Sequence, residues 1–114
     1  KVITVQVAAT LFQQKKGLGG RGDMGKIDGM LFPFDTDGRH GIVMRDMEFS
    51  IDIVWLNNGT VVDIAAEAPV EPKATEASLK RYYPRIDANA VLELPSGKAG
   101  EYGLKIGDTL EHVR

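Results

Sequence analysis

The alternation of apolar and polar residues is clearest between Met47 and Ile64, and it predicts a β-hairpin. Every second residue from Met47 to Trp55 is apolar, and the residues between them are polar as far as Asp52. This period of two is typical of a strand with one buried face. Asn58-Gly59 follows, and this dipeptide is the strongest short-range signal for a tight hairpin turn. We therefore expect the chain to reverse there and to bury Trp55.

Shorter apolar runs predict four more strands. They are rich in β-branched residues and lie between turn-forming residues. We expect Asp35–Gly38 to form a turn, and Pro33 to place the preceding strand at a sheet edge or to end it. The four predicted strands are Val2–Ala8, Gly29–Phe34, Ala88–Leu94 and the last part of Leu104–Val113.

Capping signals predict two short helices. Thr10 precedes a helix over Leu11–Leu18, and Ser96 precedes one that runs to Tyr102 and is closed by Gly103. Hydroxyl side chains cap helix starts, and glycine is favoured just after helix ends. We expect residues 65–86, which contain three prolines and many charges, to form a long surface excursion with one helical turn near 76–82.

These elements predict one domain over residues 1–114, mainly β, as a single antiparallel, partly closed barrel or sandwich with two short helices. The composition agrees, since 43% of the 114 residues are hydrophobic and 26% are charged. The net charge of -2 argues against nucleic-acid binding. No apolar run is long enough for membrane insertion.

Several kinds of chemistry are disfavoured. The chain has no cysteine, which excludes disulfides, thiolate zinc sites and a cysteine nucleophile. Its only histidines, His40 and His112, lack the spacing of metal ligands. The run Gly17–Gly22 satisfies G-x-G-x-x-G, but it follows a short helix rather than a parallel strand, so loop flexibility explains it better. We predict neither a metal nor a cofactor.

A cluster of charged residues around the first hairpin arm is the best candidate site. Arg21 and Arg45 would supply positive donors, Asp46 and Asp52 would orient them or accept hydrogen bonds, and Met44 would line the pocket. The competing interpretation is structural: a solvated strand face for the acids, or a buried Asp52 that braces a turn or pairs with an arginine.

A second contact surface is predicted on the long excursion. Arg81, Tyr82 and Tyr83 combine aromatic rings with cations, which can stack on sugars, bases or a protein partner. The alternative is that one tyrosine packs the loop down and the arginines only solvate it.

The order and spacing of several motifs resemble the domain of unknown function 192 family. This resemblance implies a small, mostly β domain and an exported or periplasmic location, with a leader removed before Lys1; a cytoplasmic location is the alternative. It implies no activity. Family members commonly have Trp-Met-Lys-Asn where this chain has Val43–Asp46. The motifs are Lys16–Leu18, Gly29–Phe32, Met44–Asp46, Ile51–Ile53, Trp55-Leu56, Val91–Gly97 and Gly103–Asp108.

Three functions follow from these observations. The first is a non-catalytic module that binds a small polar ligand or a protein partner outside the cytoplasm. The second is a small hydrolase with Asp46 or Asp52 as general base, which requires a carboxylate with a raised pKa in a concave pocket. The third is a structural or interaction domain, which a large exposed apolar patch would favour.

Overall fold

The fold is mainly β with two short helices, as predicted. The computed structural model describes residues 1–112, leaving aside the side chains of Leu11, Phe12 and Lys15. The helices are α1 (Leu11–Lys16) and α2 (Lys98–Glu101). Neither described helix is long and apolar enough to cross a bilayer. The strands are β1 (Val5–Val7), β2 (Gly29–Gly38), β3 (Ile51–Asn57), β4 (Thr60–Ala68) and β5 (Ala88–Pro95).

The five strands form one open sheet in the order β1-β2-β5-β3-β4. β1 pairs with β2 in parallel, and the other neighbours are antiparallel. Because β1 and β4 are separate edges, the sheet is neither closed into a barrel nor doubled into a sandwich. The predicted antiparallel arrangement therefore holds for three of the four strand pairs.

The hairpin forms where the sequence predicted it. Asn58 and Gly59 have φ angles of 48° and 85°, as a type I′ turn requires. Trp55 is only 1% exposed. The first arm is shorter than predicted, because β3 begins at Ile51 and residues 46–50 form turns and bends. Asp46 has a φ of 57°, which removes it from a strand conformation.

Of four other elements, three differ from their predictions. β2 continues through the predicted turn Asp35–Gly38, with an irregular register after Pro33. Residues 69–87 contain no regular helix, but a single helical turn over 75–79, closed by a 3.0 Å hydrogen bond from the Leu79 N–H to the Thr75 carbonyl, agrees with the turn expected near 76–82. Within the described residues, the predicted C-terminal strand is reduced to one bridge between Thr60 and Thr109, and Val113 lies outside them. β1 covers only three of the seven residues predicted.

The two helices begin in different ways. Thr10 caps α1 as predicted, in a capping box with Gln13, and Gly17 follows the helix. α2 is not capped by Ser96. Its start is held instead by Asp52 of β3, which accepts hydrogen bonds from the backbone N–H groups of Gly97 and Ala99.

The sheet has a hydrophobic cluster on each face. On the face that we call the loop face, Phe32, Ile53, Trp55 and Val91 pack against residues of the connecting loops, including Met44. On the α2 face, Val54, Leu56, Leu92 and Leu94 pack against Ala99. Because side chains alternate along a strand, Asp52 shares the α2 face with Val54, whereas Glu93 shares the loop face with Val91.

Candidate functional site

A cavity of about 170 Å³ lies on the loop face of the sheet. The end of α1 and the following turn form one side of it, and residues 41–47 form another. A more open depression of about 280 Å³ adjoins it and shares Lys16, Gly19 and Arg45. The apolar lining of the cavity comprises Leu18, Phe32, Phe34, Ile42, Val43 and Met47.

Hydrogen bonds fix the elements around this cavity. The Gln14 amide donates to the Ala8 and Pro33 carbonyls and so ties α1 to the sheet. The Gly20 N–H donates to the Asp46 carbonyl over 2.9 Å, which joins the two loops at the opening. The cavity is therefore a preformed feature of the fold, as ligand pockets generally are.

Glu93 is the one carboxyl-bearing residue among the described residues that line the cavity. It lies on the central strand β5, opposite Met30 of β2 and Ile53 of β3, and is only 6% exposed. Among the described side chains, the ion pairs are Arg45–Glu76, Arg85–Asp63 and Lys98–Glu101, none of which includes Glu93.

Burial raises the pKa of Glu93 to about 8 from the ordinary value of 4.5. The cause is desolvation, which disfavours the charged carboxylate. Glu93 is therefore mostly protonated at neutral pH. A carboxyl with a strongly shifted pKa in a concave, mostly apolar site is a candidate functional group on physical grounds.

The charges at the opening are largely balanced. Arg45 donates hydrogen bonds to both carboxylate oxygens of Glu76, and this raises the pKa of Arg45 and lowers that of Glu76. Lys16 lines both the cavity and the adjoining depression, and Asp46 lines the depression. Within residues 1–112, no group of three or more acidic or histidine side chains is placed to hold a metal ion.

The structure separates the five predicted site residues. Arg45 and Asp46 lie together at the opening of the cavity and its adjoining depression. Met44 is instead part of the buried core, and Met47 lines the cavity in its place. Arg21 donates a 3.0 Å hydrogen bond to Gln6 on β1 and does not line either depression.

Asp52 lies on the other face of the sheet and is fully buried. Its carboxylate accepts hydrogen bonds from the backbone N–H groups of Glu67, Gly97 and Ala99, at 2.8, 3.2 and 2.8 Å. These bonds satisfy its oxygens and leave no route to a solute. Asp52 therefore braces a turn, which was one of the two structural interpretations given for it, and it does not lie on a solvated strand face.

The second predicted surface divides between core and solvent. Tyr82 packs against the core, with the Lys80 ammonium 4.7 Å from its ring centre. Burial and the charge of Glu71 raise the pKa of Tyr82. Tyr83 is 52% exposed, and its ring lies directly against Gly41, which lines the cavity. Arg81 is exposed. Tyr83 thus lies beside a residue of the cavity without lining the cavity itself, whereas Tyr82 anchors the excursion.

Sequence reasoning missed Glu93. Its signal was an acid in the otherwise apolar strand Val91–Leu94, which is buried on both faces. An acid at such a position must find a partner or become neutral. The sequence does not show that the loops leave a cavity beside it.

Comparisons with known proteins identify the family but not an activity. A structure of a protein of unknown function from Novosphingobium aromaticivorans is similar, with a TM-score of 0.82 and 28% identity over 95% of this chain and 74% of that one. A structure from Sinorhizobium meliloti, provisionally described as a transcription regulator, has a TM-score of 0.83 and 28% identity over 96% and 81%. No curated protein matches. The family profile of DUF192, an uncharacterized ACR, matches residues 1–112, and the chain belongs to this family.

Proposed function

We propose that the chain is a non-catalytic module that binds a small polar ligand, with the cavity beside Glu93 as its site. One observation carries the proposal: a carboxyl more than nine-tenths buried lines a preformed cavity and has no partner among the described side chains. Among the described residues, the fully buried side-chain oxygen without a hydrogen bond is Glu71 Oε2 and not an oxygen of Glu93. A polar solute in the cavity would give the Glu93 carboxyl a hydrogen-bond partner, as most polar groups in folded proteins have.

Binding is favoured over catalysis because the cavity offers few further reactive groups. A hydrolase needs a second polar group beside the acid or base. The Gln14 amide is already committed to two backbone carbonyls, and Arg45 is engaged by Glu76. Asp52, one of the two predicted general bases, is fully buried and inaccessible to a substrate. The carboxyl with a raised pKa in the concave site is that of Glu93, which was not one of the predicted bases.

The provisional description of one structural neighbour as a transcription regulator does not transfer well. DNA binding requires a cluster of uncompensated cations. This chain has 14 basic and 16 acidic residues, and both Arg45 and Arg85 are paired with carboxylates. We therefore propose a small molecule, and not nucleic acid, as the partner.

A fragment screen tests the binding site. Amide NMR spectra of the ¹⁵N-labelled chain are recorded with small amines, acids, amides and alcohols. We expect at least one class to shift the signals of Gly17, Phe32, Phe34 and Glu93 together. Val43→Phe fills the cavity and should abolish these shifts, whereas Val7→Phe adds the same ring to an exposed strand position and should not. Shifts confined to another surface, or none at all, would contradict the proposal.

The compartment is a separate part of the proposal. The family resemblance favours an exported location, in which a periplasmic binding module would meet its ligand outside the cytoplasm. Fractionation of cells that express the complete native protein, with a cytoplasmic and a periplasmic marker enzyme, distinguishes the two locations.

A further inference from the structure

The buried Glu93 carboxyl indicates the sign of charge that the cavity accepts. Removing a carboxylate from water is costly unless a cation accompanies it. None of the described cations pairs with Glu93: Arg45 binds Glu76, Arg85 binds Asp63, and Lys98 binds Glu101. Glu93 avoids this cost by staying protonated, and a positively charged solute in the open space beside it would allow the carboxylate to form.

The walls of the cavity are suited to an organic cation. Phe32 and Phe34 both line it, and the faces of aromatic rings attract ammonium groups. One face of Phe34 is covered by His40, whose ring stacks on it with centres 4.1 Å apart. Met47 adds a polarisable thioether to the same lining. An inorganic ion would leave these apolar surfaces unused.

The cations at the opening do not reverse this preference. Lys16 and Arg45 carry positive charge there, whereas Glu76 and Asp46 carry an equal negative charge beside them. Charges exposed to solvent are also screened by salt more strongly than a buried pair of charges. An ion pair formed by Glu93 inside the cavity would therefore outweigh the exposed charges at the opening.

We propose that the ligand of the cavity is a compact organic ammonium ion, a primary or methylated amine with an apolar body, for which the Glu93 carboxylate is the counter-ion. The inference rests on the proposed function. A dry cavity of about 150 Å³ accepts a benzene molecule. The 170 Å³ found here therefore suits an apolar body of about one six-membered ring.

Binding of such a cation moves one proton. Without ligand, Glu93 is mostly protonated below its pKa of about 8. The ammonium group holds the carboxylate ionised, so the Glu93 proton passes to solvent while the amine keeps its own. The neighbours Met30 and Ile53 on β2 and β3 do not titrate. Lys16 and Arg45 line the cavity, Asp46 lies at the outer depression, and His40 lies behind Phe34.

Three probes of similar size test the charge preference: benzylamine, benzyl alcohol and benzoate. Titration calorimetry on the wild-type chain should show benzylamine binding at least tenfold more tightly than the other two. Its dissociation constant should fall nearly tenfold for each pH unit between 6 and 7.5, with release of about one proton. Tighter binding of benzoate or equal binding of benzyl alcohol would overturn the amine assignment and leave the binding site itself in place.

Two variants connect the effect to Glu93. Glu93→Gln keeps the shape of the side chain but cannot form the ion pair. It should raise the dissociation constant of benzylamine at least tenfold and abolish the dependence of that constant on pH. Glu67→Gln makes the same change at an exposed residue and should alter neither the affinity for benzylamine nor its pH dependence. Unchanged affinity in Glu93→Gln would overturn the inference, as would failure of all three probes. The proposed function fails only if the broader NMR screen also finds no ligand in the cavity.

Discussion

The Asp52 carboxylate on β3 accepts a 2.8 Å hydrogen bond from the backbone N–H of Ala99 in the first turn of α2. Its other oxygen accepts hydrogen bonds from Gly97 and from Glu67 of β4. Glu67 has a φ of 55° and lies where the β3–β4 register shifts. One buried side chain thus stabilises both a β-bulge and the start of a helix, as a capping residue does from within its own helix.

Asp52→Asn should lower the free energy of unfolding by roughly 2–3 kcal/mol. Hydrogen bonds to a charged group contribute about 1.5–3 kcal/mol, and the new NH₂ group would face a backbone donor. Urea denaturation measures the loss. Asp46→Asn is the matched control, because Asp46 is exposed and Asn tolerates its positive φ at least as well. Equal stability of the two variants would show that the Asp52 contacts contribute little.

The hairpin could be predicted from local signals, whereas the role of Asp52 depends on long-range packing that the sequence does not show. The Asn58-Gly59 turn depends on two adjacent residues whose backbone preferences are intrinsic. Asp52 and Ala99 are 47 residues apart, and their contact depends on the alignment of β3 with β5. Since any acid in a strand could face solvent or an N–H cluster, the sequence left both interpretations of Asp52 open.

The period-two pattern also extended beyond the strand that it predicted. Residues 46–50 continue the alternation of β3 but form turns, because Asp46 adopts a left-handed conformation. Met47 is buried in both arrangements, so the alternation alone did not distinguish them. This turn brings Arg45 and Met47 to the cavity, which a straight strand would not have done.

Glu93 should make the chain less stable as the pH rises. The unfolded chain loses the Glu93 proton near pH 4.5, whereas the folded chain keeps it up to about pH 8. Between these values the folded state binds one more proton, so the free energy of unfolding falls by about 1.4 kcal/mol per pH unit. Glu93→Gln should remove this slope.

The measurement is a series of urea denaturations at pH 5, 6, 7 and 8. The free energy of unfolding of Glu93→Gln minus that of wild type should increase steadily from pH 5 to pH 8, whatever its value at pH 5. Glu67→Gln should track wild type at every pH, since Glu67 is exposed. A constant difference between Glu93→Gln and wild type would mean that Glu93 is ionised in the folded chain.

Asp63 should have the opposite dependence. Burial raises its pKa, but hydrogen bonds from the Arg85 side chain and from the backbone N–H groups of Arg85 and Ile64 outweigh burial, so the pKa lies below 3.8. Its stabilisation is complete above the unfolded value and is lost as the pH falls through the folded value.

Asp63→Asn should therefore lower the free energy of unfolding by about 1–2 kcal/mol at pH 7. The expected loss is kept small because the Arg85 side chain is largely exposed, and solvent screens its ion pair with Asp63. The deficit should shrink when the pH is lowered below 3.8. Thermal denaturation at pH 7 and pH 2.5 measures it, with the exposed Asp87→Asn as control. A deficit that stays the same at both pH values would contradict an ionic role for Asp63.

The contact between the hairpin turn and the C-terminal segment can be separated from backbone strain by two alanine substitutions. Gly59 and Gly97 have almost the same φ, 85° and 89°, so both substitutions incur the left-handed penalty of about 1–2 kcal/mol. Only at Gly59 would the new Cβ meet another atom, the Leu110 carbonyl oxygen at 2.9 Å. Gly59→Ala should thus lower the free energy of unfolding by about 1 kcal/mol more than Gly97→Ala in urea denaturation.

Hydrogen exchange at Leu110 gives a second measurement of the same contact. The Leu110 N–H donates to the Gly59 carbonyl over 2.7 Å, and its hydrogen exchange should accelerate in Gly59→Ala alone. Equal losses with unchanged Leu110 exchange would show that the C-terminal segment yields to the methyl group without loosening.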